Sequence, residues 1–299
     1  MASERNQYRF PVAEIRGATP DDFEAVLELL DTRSRAVFGV SEVAREHLWQ
    51  SWELPATDHA VADVDGRVVG YAALDEGQEL ALAAPDPRIG DELLAHALEQ
   101  ARRRGFGEVT LTAAREDEPL VALARRNAFT PDREVLRMWR RLDGILPAPR
   151  PPEDVAVRTY EDADAETVHA LLDEAYSGWD SDYVRRSHDG WLRWMTRHDD
   201  FDPALWFLAE RDGELVACAL HWREHQRRGW VKDVAVRESE RGRGLGRALL
   251  EHGFRAYAAR GVKQVGLKVD STNPTGALRL YERLGFRVDR RYGIWMRTP

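Results

Sequence analysis

Two kinds of apolar pattern alternate along the chain, and together they predict a mixed α/β fold. Residues 61–74 and 207–220 are rich in apolar strand-forming residues, and each stretch is divided by Asp-Gly, a strong signal for a β-hairpin. Residues 21–30 and 163–172 instead open on acidic residues and then place apolar side chains at helical spacing. An acid-capped helix followed by a hairpin therefore occurs twice.

The two halves of the chain follow one plan. Residues 123–129 and 280–286 both end on Phe after a helix-like segment, so the likeness extends to the end of each half. Between the halves, residues 143–153 contain four prolines, which exclude a helix or a central strand. We therefore predict a first domain at residues 1–143, a linker at 144–153 and a second domain at 154–299.

The second half ends in the order strand, glycine-rich loop, helix, strand, helix, strand. A meander of hairpins followed by this order predicts a mostly antiparallel central sheet with helices on both faces. The predicted fold class is thus α/β with a mixed sheet, present as two tandem domains.

Composition narrows the class of protein. The formal net charge of −9 argues against nonspecific nucleic-acid binding as the main task. No apolar run approaches the ~20 residues of a membrane span, and the N-terminus lacks an apolar leader. Cys218 is the only cysteine and lies in an apolar strand, which indicates a buried thiol and a reducing compartment. We expect a cytoplasmic protein that binds neither membrane nor nucleic acid.

A glycine-rich loop at residues 241–246 joins a predicted strand to a predicted helix at 247–260. Glycines let the backbone approach a ligand closely, and the N–H groups at a helix start attract anions. Residues 237–260 carry six Arg against three Glu inside an acidic chain. The pattern predicts a phosphate site formed by the backbone of residues 242–247, with Arg241, Arg243 and Arg247 as candidate side-chain donors.

A second helix is predicted to begin at Asn273-Pro274, because Asn is a good N-cap and Pro fits the first turn. Gly285 is predicted to end it in the left-handed conformation. Apolar spacing places Tyr281 on the inward face of this helix. A core aromatic is the alternative role for Tyr281, and a cap alone is the alternative role for Asn273.

These segments resemble the GNAT superfamily of acetyl-CoA-dependent N-acetyltransferases. Arg241, Gly244 and Gly246 match the family's phosphate loop, and Asn273, Tyr281 and Gly285-Phe286 match its later signature. The two-domain layout further resembles the mycothiol-synthase-like tandem acetyltransferases. The resemblance implies acetyl-CoA as cosubstrate and Tyr281 as the acid that protonates the departing thiolate. It implies cofactor contacts at Val234, Ala235, Val236, Arg241, Gly242, Arg243, Gly244, Leu245, Gly246, Arg247 and Asn273.

The attacking amine must be neutral, so a base is required. Many relatives carry Glu on the central strand where this chain has Trp230, and the base is therefore unassigned. Asp233 is the nearest strand carboxylate and our candidate, although it could instead bond to neighbouring backbone. We predict transfer of an acetyl group to a primary amine of a small molecule, without a metal. A noncatalytic acyl-CoA sensor and an acetyltransferase acting on peptide N-termini are the alternatives.

The first half lacks these features at the aligned positions. Pro85 aligns with Arg241, Arg88 with Gly244, and Ala124 with Tyr281, while Asp91-Glu92 is taken as the start of the helix. Prolines remove N–H donors, and carboxylates at a helix start occupy the place of an anion. We predict that the first domain does no chemistry and serves as a built-in partner, which makes the chain a monomeric pseudo-dimer.

Three further patterns bear on function. The stretch 176–206 is rich in aromatic and acidic residues, which suits either a cationic amine or an aromatic seam between domains. Its members are Trp179, Tyr183, Trp191, Trp194 and Trp206 with Asp180, Asp182, Asp189, Asp199 and Asp200. The sequence from His221 to His225 matches the H-x-x-E-H zinc peptidase pattern but ends a predicted strand. The glycine loop also approaches the dinucleotide fingerprint, without its spacing.

Overall fold

The computed structural model of the protein describes residues 13–53, 56–177, 187–196, 200–225 and 228–299. The first half contains β1 (Glu14–Gly17), α1 (Phe23–Phe38), α2 (Arg45–Trp52), β2 (Asp58–Val64), β3 (Arg67–Leu74), β4 (Glu79–Ala83), α3 (Pro87–Arg103), β5 (Val109–Ala114), α4 (Glu118–Arg126) and β6 (Thr130–Arg141). The second half contains β7 (Ala156–Thr159), α5 (Ala165–Ser177), α6 (His188–Thr196), β8 (Trp206–Arg211), β9 (Glu214–His225), β10 (Arg228–Val236), α7 (Leu245–Ala259), β11 (Gln264–Asp270), α8 (Ala277–Arg283) and β12 (Arg287–Arg297).

The chain forms two compact units whose limits differ from a simple cut at the proline-rich segment. Unit 1 comprises Met1–Arg133 with Tyr292–Pro299, and unit 2 comprises Glu134–Arg291. The boundaries therefore fall inside β6 and inside β12, so each unit contains a strand segment from the other half of the sequence. The proline-rich residues 144–153 lie within unit 2.

Unit 1 has a mostly antiparallel sheet. β1, β2, β3 and β4 pair antiparallel in sequence, and β4 pairs parallel with β5. The sheet continues with the last part of β12, where Tyr292 to Arg297 pair antiparallel with β5. Helices α1 to α4 complete the unit, and side chains of α3 and α4 form its main core with the sheet.

Unit 2 repeats the same pairing order. β7, β8, β9 and β10 pair antiparallel, and β10 pairs parallel with β11. β11 then pairs antiparallel along its whole length with residues 135–141 of β6. The prediction of two tandem domains with mostly antiparallel sheets flanked by helices is confirmed.

The hairpin turns form as the Asp-Gly signals predict. Asp65 and Gly66 join β2 to β3 with φ of 52° and 80°, and Asp212 and Gly213 join β8 to β9 with the same angles. Positive φ at both central residues is the type I′ geometry, whose twist matches the flanking strands.

The sheet of unit 2 carries helices on both faces because its strands alternate apolar side chains. Trp206 and Leu208 pack with α5 and α6, whereas Phe207 and Ala209 pack with α7. Helices α7 and α8 share a third cluster with β11. Among the helices that the structure describes, none is long and apolar enough to cross a membrane.

Candidate functional site

The central feature of unit 2 is an opening between β10 and β11. The two strands pair only at residues 228–230 with 264–266. Beyond that point β10 continues to pair with β9 and β11 with β6, so their facing edges no longer pair with each other. The register of β10 against β9 shifts between Val231 and Asp233, which marks a bulge at Lys232. Bulges bend a strand, and this one lies where the strands part.

A cavity of about 570 Å³ lies at this opening. It is lined by residues of α5, the end of β10, the glycine loop, the start of α7, the end of β11 and α8. From β10 it includes Val234, Ala235 and Val236, which are the β10 residues among the predicted cofactor contacts. Their edge toward β11 carries no ladder pairing, so an extended ligand with amide groups can pair there as a strand would.

The glycine loop leads into the start of α7, and both line the cavity. The helix begins at Leu245, two residues earlier than predicted, with Gly244 as its N-cap. Gly242 and Gly244 have φ of 79° and 87°, a region that favours glycine. The first helical hydrogen bond here joins Ala248 N–H to Gly244 carbonyl, so the N–H groups of residues 245–247 precede it. These free N–H groups form the end of the helix that attracts anions.

The three loop arginines differ in their contacts. Arg241 lines the cavity, and its Nε donates to the Val236 carbonyl at 3.3 Å. Arg247 also lines the cavity, but its Nε pairs with Glu251 at 2.8 Å. Arg243 is not among the lining residues, and its guanidinium binds Asp154 and Glu240 at 2.9 and 3.1 Å. Of the three predicted donors, Arg241 is thus the one placed to meet an anion without leaving a carboxylate partner.

Tyr281 lies on α8 and faces the cavity with 8% of its surface exposed. The end of α8 fixes this position. Gly285 has φ of 85°, and the N–H groups of Gly285 and Phe286 donate to the carbonyls of Glu282 and Tyr281 at 3.0 Å each. This is the Schellman end that the sequence predicted with Gly285.

The cofactor candidate Asn273 lines the cavity, but it does not cap α8 as predicted. The helix begins three residues later, at Ala277, with Gly276 as its N-cap at φ 80°. The side-chain oxygen of Asn273 instead accepts hydrogen bonds from the N–H and hydroxyl of Thr275, at 2.9 and 2.5 Å. Asn can bond to backbone two residues on, and this local turn competes with the cap.

Asp233, the candidate base, lies on β10 directly after the bulge. Its Oδ1 accepts a hydrogen bond from the Tyr176 hydroxyl at 3.1 Å, and its Oδ2 lies 3.4 Å from Lys232 Nζ. The Lys232 ammonium also lies 4.8 Å from the Trp194 ring centroid and 5.7 Å from that of Trp222. The carboxylate is therefore engaged through both oxygens. The alternative that Asp233 bonds to neighbouring backbone is not what the structure shows.

Burial and the Asp233 charge raise the pKa values of three neighbouring groups, Tyr281, Tyr176 and Cys218. Burial, with the nearby carboxylate, raises the pKa of Tyr281 and of Tyr176 above the usual phenol value. The same causes raise the pKa of the Cys218 thiol to about 12. Both phenols are therefore protonated at neutral pH, which a proton donor requires. Cys218 is fully buried and neutral, as the sequence predicted.

Sequence reasoning missed Tyr176 as a site residue. Tyr176 lines the cavity from α5, and it lies four residues after Leu172, which lies four after Val168. That spacing continues the apolar face of the helix, so the signal was present. The lining residues Lys268, Arg279 and Arg283 were also missed, because nothing in their local sequence separates them from surface charges.

The corresponding part of unit 1 has a different structure from the one predicted. Helix α3 begins at Pro87, not at Asp91-Glu92, so the N-cap Asp86 is the counterpart of Gly244. The Asp86 carboxylate accepts the N–H of Arg88 at 2.8 Å, which satisfies a helix-start donor within the chain. Asp91 lies in the helix and pairs with Arg126. The assignment of Asp91 and Glu92 to the helix start was wrong.

The rest of the unit 1 motif confirms the alignment of Ala124 with Tyr281. The N–H of Phe129 donates to the Ala124 carbonyl at 3.0 Å, as Phe286 donates to Tyr281. Ala124 is fully buried and carries no proton donor.

The aromatic stretch divides into parts with different environments. Trp191 and Trp206 are buried core residues of unit 2. Trp194 contacts Trp222 with ring centroids 6.1 Å apart, beside Lys232. Trp179, Asp180, Asp182, Tyr183 and Asp199 lie outside the described residues. The site for a cation over Trp194 is thus taken by the chain's own lysine.

His221, the first histidine of the zinc peptidase pattern, lies in strand β9 and is fully buried. Burial lowers its pKa to about 3, and its ring contacts Phe207 and Tyr257. Within the described residues no group of three His, Cys, Asp or Glu side chains is placed to hold a metal. The helix that this peptidase pattern requires is not formed here.

Comparisons with known proteins agree with this geometry. Residues 165–286 match the acetyltransferase (GNAT) family. The mycothiol acetyltransferase of Thermobispora bispora is 36% identical over 91% of this chain and 95% of its own length. The mycothiol acetyltransferase of Streptomyces coelicolor is 34% identical over 90% of this chain and 89% of its own.

Two solved structures share the whole architecture. A GCN5-related N-acetyltransferase from Sphaerobacter thermophilus has a TM-score of 0.77 and 28% identity, covering 96% of this chain and 95% of its own. A tandem GNAT protein from the clavulanic acid biosynthesis pathway has a TM-score of 0.74 and 20% identity, covering 96% and 98%. On the strength of the full-length relatives and the matched second half, this chain belongs to the GNAT family of acetyltransferases, in its tandem form.

Proposed function

We propose that the protein transfers the acetyl group of acetyl-CoA to a primary amine of a small molecule, in unit 2. The observation that carries this proposal is the opening between β10 and β11, whose cavity is lined both by the start of α7 and by Tyr281. That arrangement suits a long ligand with phosphates at one end and a thioester at the other.

The described residues fit acetyl-CoA in two respects. The N–H groups at the start of α7 and the guanidinium of Arg241 suit the pyrophosphate. The unpaired edge of residues 234–236 suits the amide groups of the pantetheine arm. Asn273 lines the same cavity, and its side-chain nitrogen remains a candidate donor to the ligand.

Tyr281, which lines the cavity, and Asp233, which precedes the lining residue Val234 and is not itself part of the lining, would move two protons. The amine nitrogen forms a bond to the acetyl carbon, and the bond from that carbon to sulfur breaks with its electrons on sulfur. Tyr281 gives its proton to the sulfur, and Asp233 takes a proton from the nitrogen. The proton on Asp233 then returns to Tyr281 through solvent, so the products are the N-acetyl amine and the free thiol.

We infer that unit 1 does not catalyse. Asp86 fills the place of an anion at the start of α3, and Pro87 removes a donor there. Ala124 stands where unit 2 has Tyr281. The first domain is accordingly proposed to bind no acetyl-CoA.

A thiol-release screen tests the function. The full chain with acetyl-CoA is offered amines, amino sugars, amino acid derivatives, peptide N-termini and mycothiol-related amines, the last because of the relatives' names. Amine-dependent thiol release with a small molecule supports the proposal. Thiol release only with peptides would identify an acetyltransferase that acts on peptide N-termini. Acetyl-CoA binding without thiol release in the presence of any amine would identify an acyl-CoA sensor.

The variant Tyr281→Phe tests the proton donor. We expect thiol release to fall about 100-fold while acetyl-CoA still binds, because the ring is kept and only the acid is lost. Tyr160→Phe is the matched control, since Tyr160 is a buried tyrosine of the same unit that does not line the cavity. Equal activity of Tyr281→Phe and wild type would contradict the assignment.

A further inference from the structure

We propose that Tyr176 is a positioning residue that holds Asp233 in the orientation needed for acetyl transfer. The proposal rests on the function proposed above and adds a residue that neither the family signature nor the sequence pattern identified. The juxtaposition that carries it is the hydrogen bond from Tyr176 on α5 to Asp233 on β10, beside the cavity that Tyr176 and Tyr281 both line.

The hydrogen bond is direct. The Tyr176 hydroxyl donates to Asp233 Oδ1 at 3.1 Å, from α5 to β10 across 57 residues of sequence. Tyr176 lines the cavity, and the side chain of Asp233 is 14% exposed. A hydroxyl that donates to a carboxylate makes a charge-assisted hydrogen bond, and partial burial shields it from water, although at 3.1 Å this one is long for its class.

The bond matters because Asp233 follows a bulge. Asp233 itself pairs with Leu220 of β9, but a bulge bends its strand and re-aims the side chains beside it. Lys232, the bulged residue, holds Oδ2 at 3.4 Å while its own ammonium lies over Trp194. Tyr176 holds Oδ1. Each carboxylate oxygen thus has a partner, an ammonium on Oδ2 and the Tyr176 hydroxyl on Oδ1.

The two tyrosines have different roles in this arrangement. Tyr281 comes from the α8 side of the opening and Tyr176 from the α5 side, and the Asp233 charge acts on both. The Tyr176 proton is committed to the carboxylate, so it is not the proton that sulfur receives. Tyr176 therefore acts through Asp233, whereas Tyr281 acts on the substrate.

A double-mutant cycle tests the proposal with the full chain and the best amine from the screen. We expect Tyr176→Phe to lower kcat about 10- to 100-fold with an unchanged KM for acetyl-CoA, because a hydrogen bond to a charged group is lost. In the Asp233→Asn background the same substitution should cause no further loss. Tyr71→Phe is the matched control in unit 1, since it removes a buried tyrosine hydroxyl bonded to His59 Nδ1 at 2.8 Å.

The proposal is supported when two results occur together. Tyr176→Phe must lower kcat while Tyr71→Phe does not, and Tyr176→Phe must cause no further fall in the Asp233→Asn background. An unchanged kcat in Tyr176→Phe, or an equal fall in both backgrounds, overturns it while leaving the acetyltransferase function standing. Wild-type protein that releases no thiol from acetyl-CoA with any amine of the screen overturns the proposed function, and this assignment with it.

Discussion

Replacing Gly246 by Ala should make the protein more stable and its acetyl-CoA binding weaker. Gly246 lies in the first turn of α7 and lines the cavity. An added Cβ would lie 3.5 Å from Leu280 Cδ2, 3.6 Å from Val236 Cγ2 and 3.8 Å from Val234 Cγ1. These are ordinary van der Waals distances, so the methyl group fits the protein without ligand.

The two effects have opposite signs. Ala loses less backbone entropy than Gly in a helix, so the free energy of unfolding should rise by about 0.5 kcal/mol and the melting temperature by about 1–2 °C. The three neighbours of the new methyl all line the cavity, however, so the methyl enters the space proposed for the ligand at the helix start. We expect the Kd for acetyl-CoA to rise at least about 10-fold, or about 1.4 kcal/mol.

Gly253→Ala is the matched control on the same helix. Its added Cβ would lie 2.3 Å from Cε1 of the buried His221 ring, so this substitution must displace a core side chain. We expect it to lower the free energy of unfolding by about 1–3 kcal/mol, with a ligand affinity in the remaining folded protein close to wild type.

Thermal unfolding and isothermal titration with acetyl-CoA measure both quantities on each variant. Acetyl-CoA binding to Gly246→Ala as tight as to wild type would show that the ligand does not approach this turn. A fall in stability would show that the glycine serves packing instead, and either result refutes the reasoning.

Three further predictions concern stability and reactivity. Ala128 is exposed and has φ of 58° where unit 2 has Gly285, and this left-handed conformation strains a residue with a Cβ. Ala128→Gly should therefore raise the free energy of unfolding by about 0.5–1 kcal/mol, measured by denaturant titration. A loss of stability would show that Ala128 is not strained. Burial lowers the pKa of His221 from 6.5 to about 3, so the unfolded chain takes up a proton that the folded one does not. Stability should therefore fall by roughly 1 kcal/mol per pH unit as pH drops from about 6.5 towards 3, with a smaller slope in His221→Leu; equal slopes would refute this. Cys218 is fully buried with its pKa raised to about 12, so a thiol reagent should modify it about 100-fold more slowly in native than in unfolded protein, and comparable rates would show that the strand opens.

The sequence predicted features whose cause is local. The Asp-Gly turns, the glycine at the end of α8 and the inward face carrying Tyr281 each follow from a few adjacent residues. Their geometry in the structure is the predicted one. The start of α8 was misplaced because Asn273 satisfied its side chain in a tighter turn before the helix began.

Features that depend on contacts distant in sequence were harder to predict. The hydrogen bond from Tyr176 to Asp233 joins two elements through tertiary packing, and no local pattern specifies it.

The alignment of the two glycine-loop regions was wrong by two residues, because Asp86 and Gly244 cap their helices through different chemistry. A side-chain cap and a left-handed glycine are equivalent in position but share no residue type.

The division of β6 and β12 between the units has a consequence for how the chain is made. Because β5 takes its last partner from residues 292–297, its outer edge stays unpaired until those residues leave the ribosome. An unpaired edge is a place where strands of other chains can add. Unit 2, by contrast, has its borrowed strand early, since residues 134–141 precede the rest of that unit. The half synthesised first is thus the half completed last, and a premature stop near the C-terminus would harm the N-terminal unit.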